Sequence, residues 1–167
     1  MPEQRIVGSN DLIDYSIIIP AFNEQNYIGE VLDTLLEVMK KTSDFKGEII
    51  VVDNNSTDQT AQLAESKGVR VVFEAINQIS RARNTGSKEA NGEYLIFVDA
   101  DTLISQELLD LSLQRLKQGR CGGGGANIVF DTNQNQIFFG SFLPFFCSWI
   151  SKALKFAAGS FIFCKKQ

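Results

Sequence analysis

The 167-residue sequence contains no histidine, and this absence narrows the chemistry that the chain can perform. Histidine is the side chain whose charge changes near neutral pH, and it is also the commonest metal ligand. Neither histidine-based acid–base catalysis nor a histidine metal site is therefore available. Proton transfer and metal binding, where they occur, must use carboxylates.

Cysteines and basic residues are also few. Cys121, Cys147 and Cys164 are odd in number and show no Cys-x-x-Cys spacing, which indicates neither a disulfide framework nor a zinc site. This usage is typical of a reducing compartment, so we expect a cytoplasmic protein. Sixteen Lys and Arg residues against 20 Asp and Glu residues give a net charge of −4, whereas a nucleic-acid-binding domain is basic.

Long apolar runs are missing as well. Asp11 and Asp14 interrupt the N-terminal region before an apolar run of signal-peptide length is reached. The most apolar segment, residues 137–150, is interrupted by Pro144 and is too short to cross a bilayer. The sequence therefore predicts neither a secretory signal nor a membrane span.

A helix that begins at Pro144 is predicted to be amphipathic. Aromatic and small apolar residues lie on one side, and Lys152 and Lys155 lie on the other. Packing in the core, or a homo-oligomer contact through residues 137–156, is the simpler interpretation. An aromatic face flanked by lysines also fits a peripheral contact with the inner face of a membrane.

Strand and helix patterns alternate four times, which predicts an α/β fold with a Rossmann-like, mostly parallel sheet flanked by helices. Ser56 followed by Gln59 has the spacing of a capping box, and Ser105 is a candidate helix cap. The predicted strands and helices, in chain order, are a strand at 15–20, a helix at 26–40, a strand at 48–53, a helix at 56–67, a strand at 69–73, a helix at 79–90, a strand at 94–98 and a helix at 105–119.

Four consecutive glycines, Gly122–Gly125, precede a strand-like run at 127–130. We expect the glycines to lead into a fifth strand. Either close packing within the protein or close approach to a ligand could require glycine at these positions. The run lacks the Lys-Ser/Thr of a phosphate-binding P-loop and the spacing of a dinucleotide fingerprint.

Polar residues follow three of the predicted strands, in the segments 20–24, 53–56 and 99–101. In a parallel sheet the carboxyl ends of the strands meet at one edge, which is where such sheets bind ligands. Two carboxylates separated by one residue, Asp99 and Asp101, can then reach one hard cation. An isolated Asp-x-Asp more often ends a strand and caps a helix, but its position beside the other two segments favours a nucleotide site.

Positive charge for the same edge is available near the start of the third helix. Arg81 and Arg83 lie in the run SRARNTG at residues 80–86. A phosphate group held among so many carboxylates needs a cation. The two arginines can supply additional positive charge at the same edge. The alternative is that at least one of them lies on an ordinary solvated helix face.

Four segments together resemble glycosyltransferase family 2, the nucleotide-diphospho-sugar transferases of GT-A fold. These are SIIIPAFNE at 16–24, IVVDNNSTD at 50–58, SRARNTG at 80–86 and YLIFVDAD at 94–101. Their order and intervals match the successive motifs of the family, and the resemblance runs from about residue 15 to residue 163. It implies a GT-A domain over residues 1–167, with a nucleotide-binding half at about 14–120 and an acceptor-side segment at about 121–167.

The resemblance also implies roles on the nucleoside side of the site. Pro20, Ala21 and Glu24 would lie against the base and ribose of the sugar nucleotide. Asp53 would accept a hydrogen bond from the base. Arg81 would lie near the base or the diphosphate.

The remaining implied roles concern the diphosphate. Arg83 and Asn84 would shape the pocket, and Asp99 would hold the ribose or the metal. Asp101 would ligate Mg²⁺ or Mn²⁺ through the diphosphate. The cation would stabilise the charge that grows on the leaving diphosphate.

The resemblance implies transfer with inversion from a UDP- or GDP-sugar to an acceptor that the sequence does not identify, either lipid-linked or a polysaccharide. Members of the family usually carry the carboxylate base beyond a strand that resembles residues 158–163. After Arg120 the only acid is Asp131, so either Asp131 is the base or the base is absent, and the chain stops at Gln167. We therefore expect a shortened domain without a visible general base. The alternative is a non-catalytic nucleotide-sugar-binding module that acts through its aromatic C-terminal helix.

Overall fold

Strands and helices alternate along most of the chain. The structure is a computed structural model that describes residues 12–42, 44–126 and 160–166. Its elements are β1 (Tyr15–Ala21), α1 (Ile28–Lys41), β2 (Gly47–Asp53), α2 (Thr60–Ser66), β3 (Arg70–Phe73), α3 (Ile79–Glu89), β4 (Tyr94–Val98), α4 (Gln106–Lys117), β5 (Gly123–Gly125) and β6 (Phe161–Lys165).

The strands form one sheet in the order β3-β2-β1-β4-β6-β5. The pairs β1–β2, β1–β4 and β2–β3 are parallel, whereas β6 runs antiparallel to β4 and β5. The predicted α/β fold with a mostly parallel sheet is confirmed. Because β1 lies between β2 and β4, their three carboxyl ends are adjacent at one edge.

Strand β1 is buried on both faces because helices cover both sides of the sheet. Ile17 and Ile19 belong to the larger core, which includes residues of α1, α4 and β6. Ile18 faces the other side, where it packs with Ala82 of α3. The alternation follows from the period of two residues along a strand.

Helix α3 approaches the sheet closely at Gly86. A Cβ atom at this position would lie 2.4 Å from Cγ2 of Ile18 and 3.0 Å from Cγ2 of Val52. Only glycine leaves room for this approach. Arg83 lies one turn earlier on α3, so the contact at Gly86 also brings Arg83 towards the sheet.

The predicted start of the second helix is wrong. Helix α2 begins at Thr60, and no side chain caps it at Gln59. Ser56 does not close a capping box, because its Oγ accepts a hydrogen bond from the backbone N–H of Asn23 in another loop. The predicted cap at Ser105 is confirmed, since its side chain accepts a hydrogen bond from the N–H of Leu108 at 3.2 Å.

Three glycines of the run, Gly123–Gly125, form strand β5. Strand β5 pairs with β6, and a Cβ atom at Gly124 would lie 2.7 Å from the Phe163 ring. At Gly123 a Cβ atom would lie 2.8 Å from the Phe163 carbonyl oxygen. These contacts supply a structural reason for two of the four glycines.

Several predictions concern segments outside the described residues. They are the strand at 127–130, the amphipathic helix with its proposed contacts at 137–156, and the candidate base Asp131. No helix in the described ranges has the length and hydrophobicity needed to cross a membrane.

Candidate functional site

A cavity of about 370 Å³ lies at the carboxyl ends of β1, β2 and β4. This volume is in the range of small-molecule sites. Five of the predicted site residues line it. The lining residues are Pro20, Ala21, Phe22, Glu24, Asn54, Asn77, Ile79, Asp99, Ala100 and Asp101.

The turn after β4 presents two carboxylates in different environments. Asp99 is partly buried, and its Oδ1 accepts a hydrogen bond from Nη2 of Arg83 at 2.9 Å. Asp101 is exposed, and its nearest polar partner is the hydroxyl of Thr102 at 3.4 Å. The backbone N–H of Thr102 donates to the carbonyl of Asp99 at 3.0 Å, which closes the turn. Among the described residues no closer partner occupies the Asp101 carboxylate, so it is available to a ligand.

Glu24 adds a third carboxylate to the cavity. Burial, followed by the charges of Asp101, Asp58 and Asp99, raises the pKa of Glu24 above its usual value. Because three of these carboxylates line one cavity, the cavity repels a bare anion. A cation would relieve the repulsion.

Arg83 reaches the site through Asp99. Its side chain is about one-quarter exposed, and its Nε is buried without a hydrogen-bond partner among the described residues. Because Gly86 holds α3 against the sheet, the guanidinium group lies next to the end of β4. Arg83 is not among the lining residues, but its ion pair holds the side chain of Asp99, which is one of them.

Asn54 lines the cavity, whereas its neighbour Asp53 does not. The Asn54 Nδ2 donates to the carbonyls of Glu74 at 3.3 Å and Ile76 at 2.6 Å. With both amide hydrogens used, the Oδ1 atom is the group that Asn54 can offer to a ligand. Asp53 is 7% exposed, and its Oδ1 accepts from the N–H of Ser56 at 3.2 Å.

Arg81 and Asn84 lie away from the cavity lining. Nε of Arg81 is 3.5 Å from Oε1 of Glu74, and the Arg81 side chain is half exposed. Asn84 is exposed on the surface of α3. For Arg81, the structure therefore favours the solvated helix face.

No ligand contact is predicted from sequence for Phe22, Asn54, Asn77 or Ile79, although all four line the cavity. Asn54 could have been found, because it follows the same strand end as Asp53. Asn77 belongs to the β3–α3 connection and Ile79 is the first residue of α3, and neither lies in one of the four motifs. They reach the cavity because Asn54 and the carboxylate of Glu74 hold that connection in place.

The oxygen ligands at this site suit a hard cation such as Mg²⁺ or Mn²⁺. In the described ranges no three His, Cys, Asp or Glu side chains are grouped closely enough to hold a metal ion by themselves. The residues present therefore fit a cation that takes one or two ligands from Asp99 and Asp101 and the others from a substrate. Phosphate oxygens are the usual partners in such sites.

Comparison with known proteins identifies relatives among glycosyltransferases. The family model for glycosyl transferase family 2 matches residues 16–159. The chain is 33% identical over 105 residues to the poly(ribitol-phosphate) β-N-acetylglucosaminyltransferase TarS of Staphylococcus aureus. The alignment covers 59% of this chain and 18% of TarS, so the chain spans less than one-fifth of this relative.

Solved structures show the same fold. The crystal structure of S. aureus TarS residues 1–349 with UDP-GlcNAc matches with a TM-score of 0.57 and 28% identity, over 76% of this chain and 38% of that one. Glucosyl-3-phosphoglycerate synthase from Mycobacterium tuberculosis, in complex with Mn²⁺, UDP and glucosyl-3-phosphoglycerate, matches with a TM-score of 0.67 and 18% identity. That match covers 92% of this chain and 57% of the synthase chain.

Proposed function

The chain belongs to glycosyl transferase family 2 and has the GT-A fold, and from this premise we propose that it binds a nucleoside-diphosphate sugar together with Mg²⁺ or Mn²⁺ and transfers the sugar with inversion. The observation that carries the proposal is the convergence of Glu24, Asp99 and Asp101 on one cavity at the carboxyl edge of the sheet. A diphosphate enters such an acidic cavity only with a cation.

The two aspartates of the turn after β4 would have different roles at the diphosphate. Asp101 is the free carboxylate and would be the main protein ligand of the cation. Asp99 is held by Arg83 and would contribute its second oxygen, either to the cation or to the ribose. A bound cation would stabilise the negative charge that develops on the diphosphate when the glycosidic bond breaks.

The nucleoside would lie between the ends of β1 and β2. Pro20, Ala21 and Phe22 provide apolar surface on one side. On the other side Asn54 would accept a hydrogen bond from a base N–H through Oδ1, because its amide group is already committed to backbone carbonyls. Uracil and guanine both carry such an N–H. Asp53, the base contact implied by the family resemblance, stays a prediction.

The relatives support the choice of donor. TarS was crystallised with UDP-GlcNAc, and the mycobacterial synthase was crystallised with UDP and Mn²⁺. We propose only the classes of donor and acceptor. The donor would be a UDP- or GDP-sugar, and the acceptor would be lipid-linked or a polysaccharide. The peripheral membrane contact and the homo-oligomer through 137–156 also stay predictions.

Release of UDP or GDP from sugar nucleotides tests the proposed function. The purified 167-residue chain is incubated with UDP-GlcNAc, UDP-glucose or GDP-mannose and Mn²⁺, and nucleotide release is measured with and without extracts of lipid-linked or polysaccharide acceptors. Acceptor-stimulated release with one donor, and a product of opposite anomeric configuration by NMR, is the expected result. Donor binding without any release would favour the non-catalytic module. A folded chain that neither binds nor cleaves any donor would contradict both.

A further inference from the structure

Two loops beside the cavity are hydrogen-bonded to each other. They are the β1–α1 loop (residues 22–27) and the β2–α2 loop (residues 54–59), and we call them, with Thr60, the loop pair. The contacts between them are Asn23 N–H to Ser56 Oγ (3.1 Å), Glu24 N–H to Thr60 Oγ1 (2.8 Å), Gln25 N–H to Asp58 Oδ2 (3.2 Å), Thr57 N–H to Asn23 Oδ1 (2.8 Å), Thr57 Oγ1 to Asn23 Oδ1 (3.3 Å) and Gln59 N–H to Gln25 Oε1 (3.3 Å).

Asn23 is the centre of the loop pair. It donates its N–H to Ser56, and its Oδ1 accepts both the N–H and the hydroxyl of Thr57. Its φ angle is 57°, in the left-handed region that side-chain-bearing residues rarely adopt. Asn is among the few residues that tolerate this conformation.

The conformation of Asn23 matters because both of its neighbours line the cavity. Phe22 and Glu24 are lining residues on either side of it, and Asn54 lines the cavity from the other loop. The left-handed turn at Asn23 sets the directions of Phe22 and Glu24 relative to each other. Its Oδ1 then ties that turn to the loop that carries Asn54.

We propose that Asn23 is a positioning residue for the donor: it does not touch the donor, but through the loop pair it holds Phe22, Glu24 and Asn54 in the geometry that binds the nucleoside diphosphate. This inference rests on the proposed function. It predicts that loss of the Asn23 side chain weakens donor binding more than it lowers the stability of the fold.

Substitutions at residue 23 separate the two contributions of the side chain. Asn23→Gly keeps the left-handed backbone at no steric cost and removes the Oδ1 acceptor. Asn23→Asp keeps both the acceptor and a tolerance of the left-handed region, so it is the conservative rescue. Asn23→Ala removes the acceptor and disfavours the backbone conformation.

Asn55 supplies the matched control. It is the other non-glycine residue with positive φ in the described part of the chain, at 65°. It is exposed, it does not line the cavity, and its side chain forms no hydrogen bond with another described residue. Asn55→Ala therefore imposes the same kind of backbone penalty in the loop pair without removing one of its contacts.

Calorimetry with UDP and GDP in the presence of Mn²⁺ gives the affinity, and thermal unfolding gives the stability of each variant. Using the nucleotide that the wild-type chain binds more tightly, we expect the Kd of Asn23→Gly to rise about 10-fold to 100-fold, as is typical for loss of a residue that orients a ligand contact. Asn55→Ala should stay within about twofold of wild type, and Asn23→Asp should lose less affinity than Asn23→Gly. Asn23→Gly and Asn55→Ala should both remain folded.

Wild-type affinity in Asn23→Gly, or an equal loss in Asn55→Ala, would overturn the inference while leaving the proposed function intact. A folded wild-type chain that binds neither nucleotide would overturn both. If Asn23→Gly does not fold, Ser56→Ala takes its place, because it removes only the acceptor for the N–H of Asn23. Unchanged affinity in Ser56→Ala would then count against the inference, and a raised Kd would support it.

Discussion

Nη2 of Arg83 lies 2.9 Å from Oδ1 of Asp99, and this ion pair joins helix α3 to the end of β4. Both side chains are a little more than one-quarter exposed, so the pair is neither a surface contact nor a fully buried one. It commits one oxygen of Asp99 and leaves Asp101 as the free carboxylate of the turn. Its consequence is that the two aspartates of the Asp-x-Asp motif are not equivalent.

Removing the guanidinium group should disturb both the fold and the site. Arg83→Met keeps much of the packing volume but leaves Asp99 unpaired, and we expect a loss of about 1–3 kcal/mol in the free energy of unfolding, measured by urea titration. In the background of Asp99→Asn the same substitution should cost less, because the charge of the partner is already gone. Equal costs in the two backgrounds would show that the pair makes no contribution.

Even the smallest larger side chain at position 86, alanine, is expected to destabilise the fold. In Gly86→Ala the new Cβ would clash with Ile18, and overpacking of this kind costs about 1–3 kcal/mol. Gly29→Ala is the matched control, since α1 has open space at Gly29 and alanine is the better helix former by up to about 1 kcal/mol. Thermal unfolding should therefore show a lower Tm for Gly86→Ala and an equal or higher Tm for Gly29→Ala. The opposite order would contradict the close approach of α3 to the sheet.

The amide group of Asn54 should contribute to stability as well as to the cavity. Asn54→Ala leaves the carbonyls of Glu74 and Ile76 without their donor, and we expect a loss of about 1–3 kcal/mol in the free energy of unfolding. Asn77→Ala, an exposed residue of the same cavity, should stay within about 0.5 kcal/mol of wild type. Chemical denaturation of both variants measures this difference, and similar losses would show that Asn54 does not hold the β3–α3 connection.

Asp58 should make stability depend on pH. Burial raises the pKa of Asp58, but hydrogen bonds from the hydroxyl and N–H of Thr60 and from the N–H of Gln25 outweigh it, so the pKa is lowered overall. The folded protein therefore binds this proton more weakly than the unfolded chain does. The stabilisation is present above the unfolded pKa of about 4 and is lost as the pH falls through the folded value.

The measurement compares Asp58→Asn with wild type by thermal unfolding between pH 7 and pH 3. We expect a lower Tm for the variant at pH 7 and a difference that shrinks towards pH 3. Asp44→Asn removes the same charge from an exposed turn at the opposite edge of the sheet and serves as the control. A difference that does not change with pH for Asp58→Asn would be inconsistent with the lowered pKa.

The sequence predicted the sheet and the edge at which the cavity lies, because apolar runs that end in polar residues are local patterns. The start of α2 could not be predicted, since Ser56 has the spacing of a capping box but its hydroxyl accepts a hydrogen bond from Asn23, 33 residues away. The pairing of Arg83 with Asp99 is non-local in the same way. It depends on the close packing of α3 at Gly86, which no local pattern reveals.

The central claim is that a nucleoside diphosphate binds at Asp101 through a divalent cation, and calorimetric titration of the full chain with UDP and GDP, with and without Mn²⁺, tests it most directly. We predict binding of at least one nucleotide that strengthens when Mn²⁺ is present. In Asp101→Asn this metal-dependent gain should be lost, an effect of about tenfold or more in Kd, whereas Asp44→Asn should bind like wild type. Binding of neither nucleotide by the folded chain, or a metal-dependent gain that survives in Asp101→Asn, would contradict the claim.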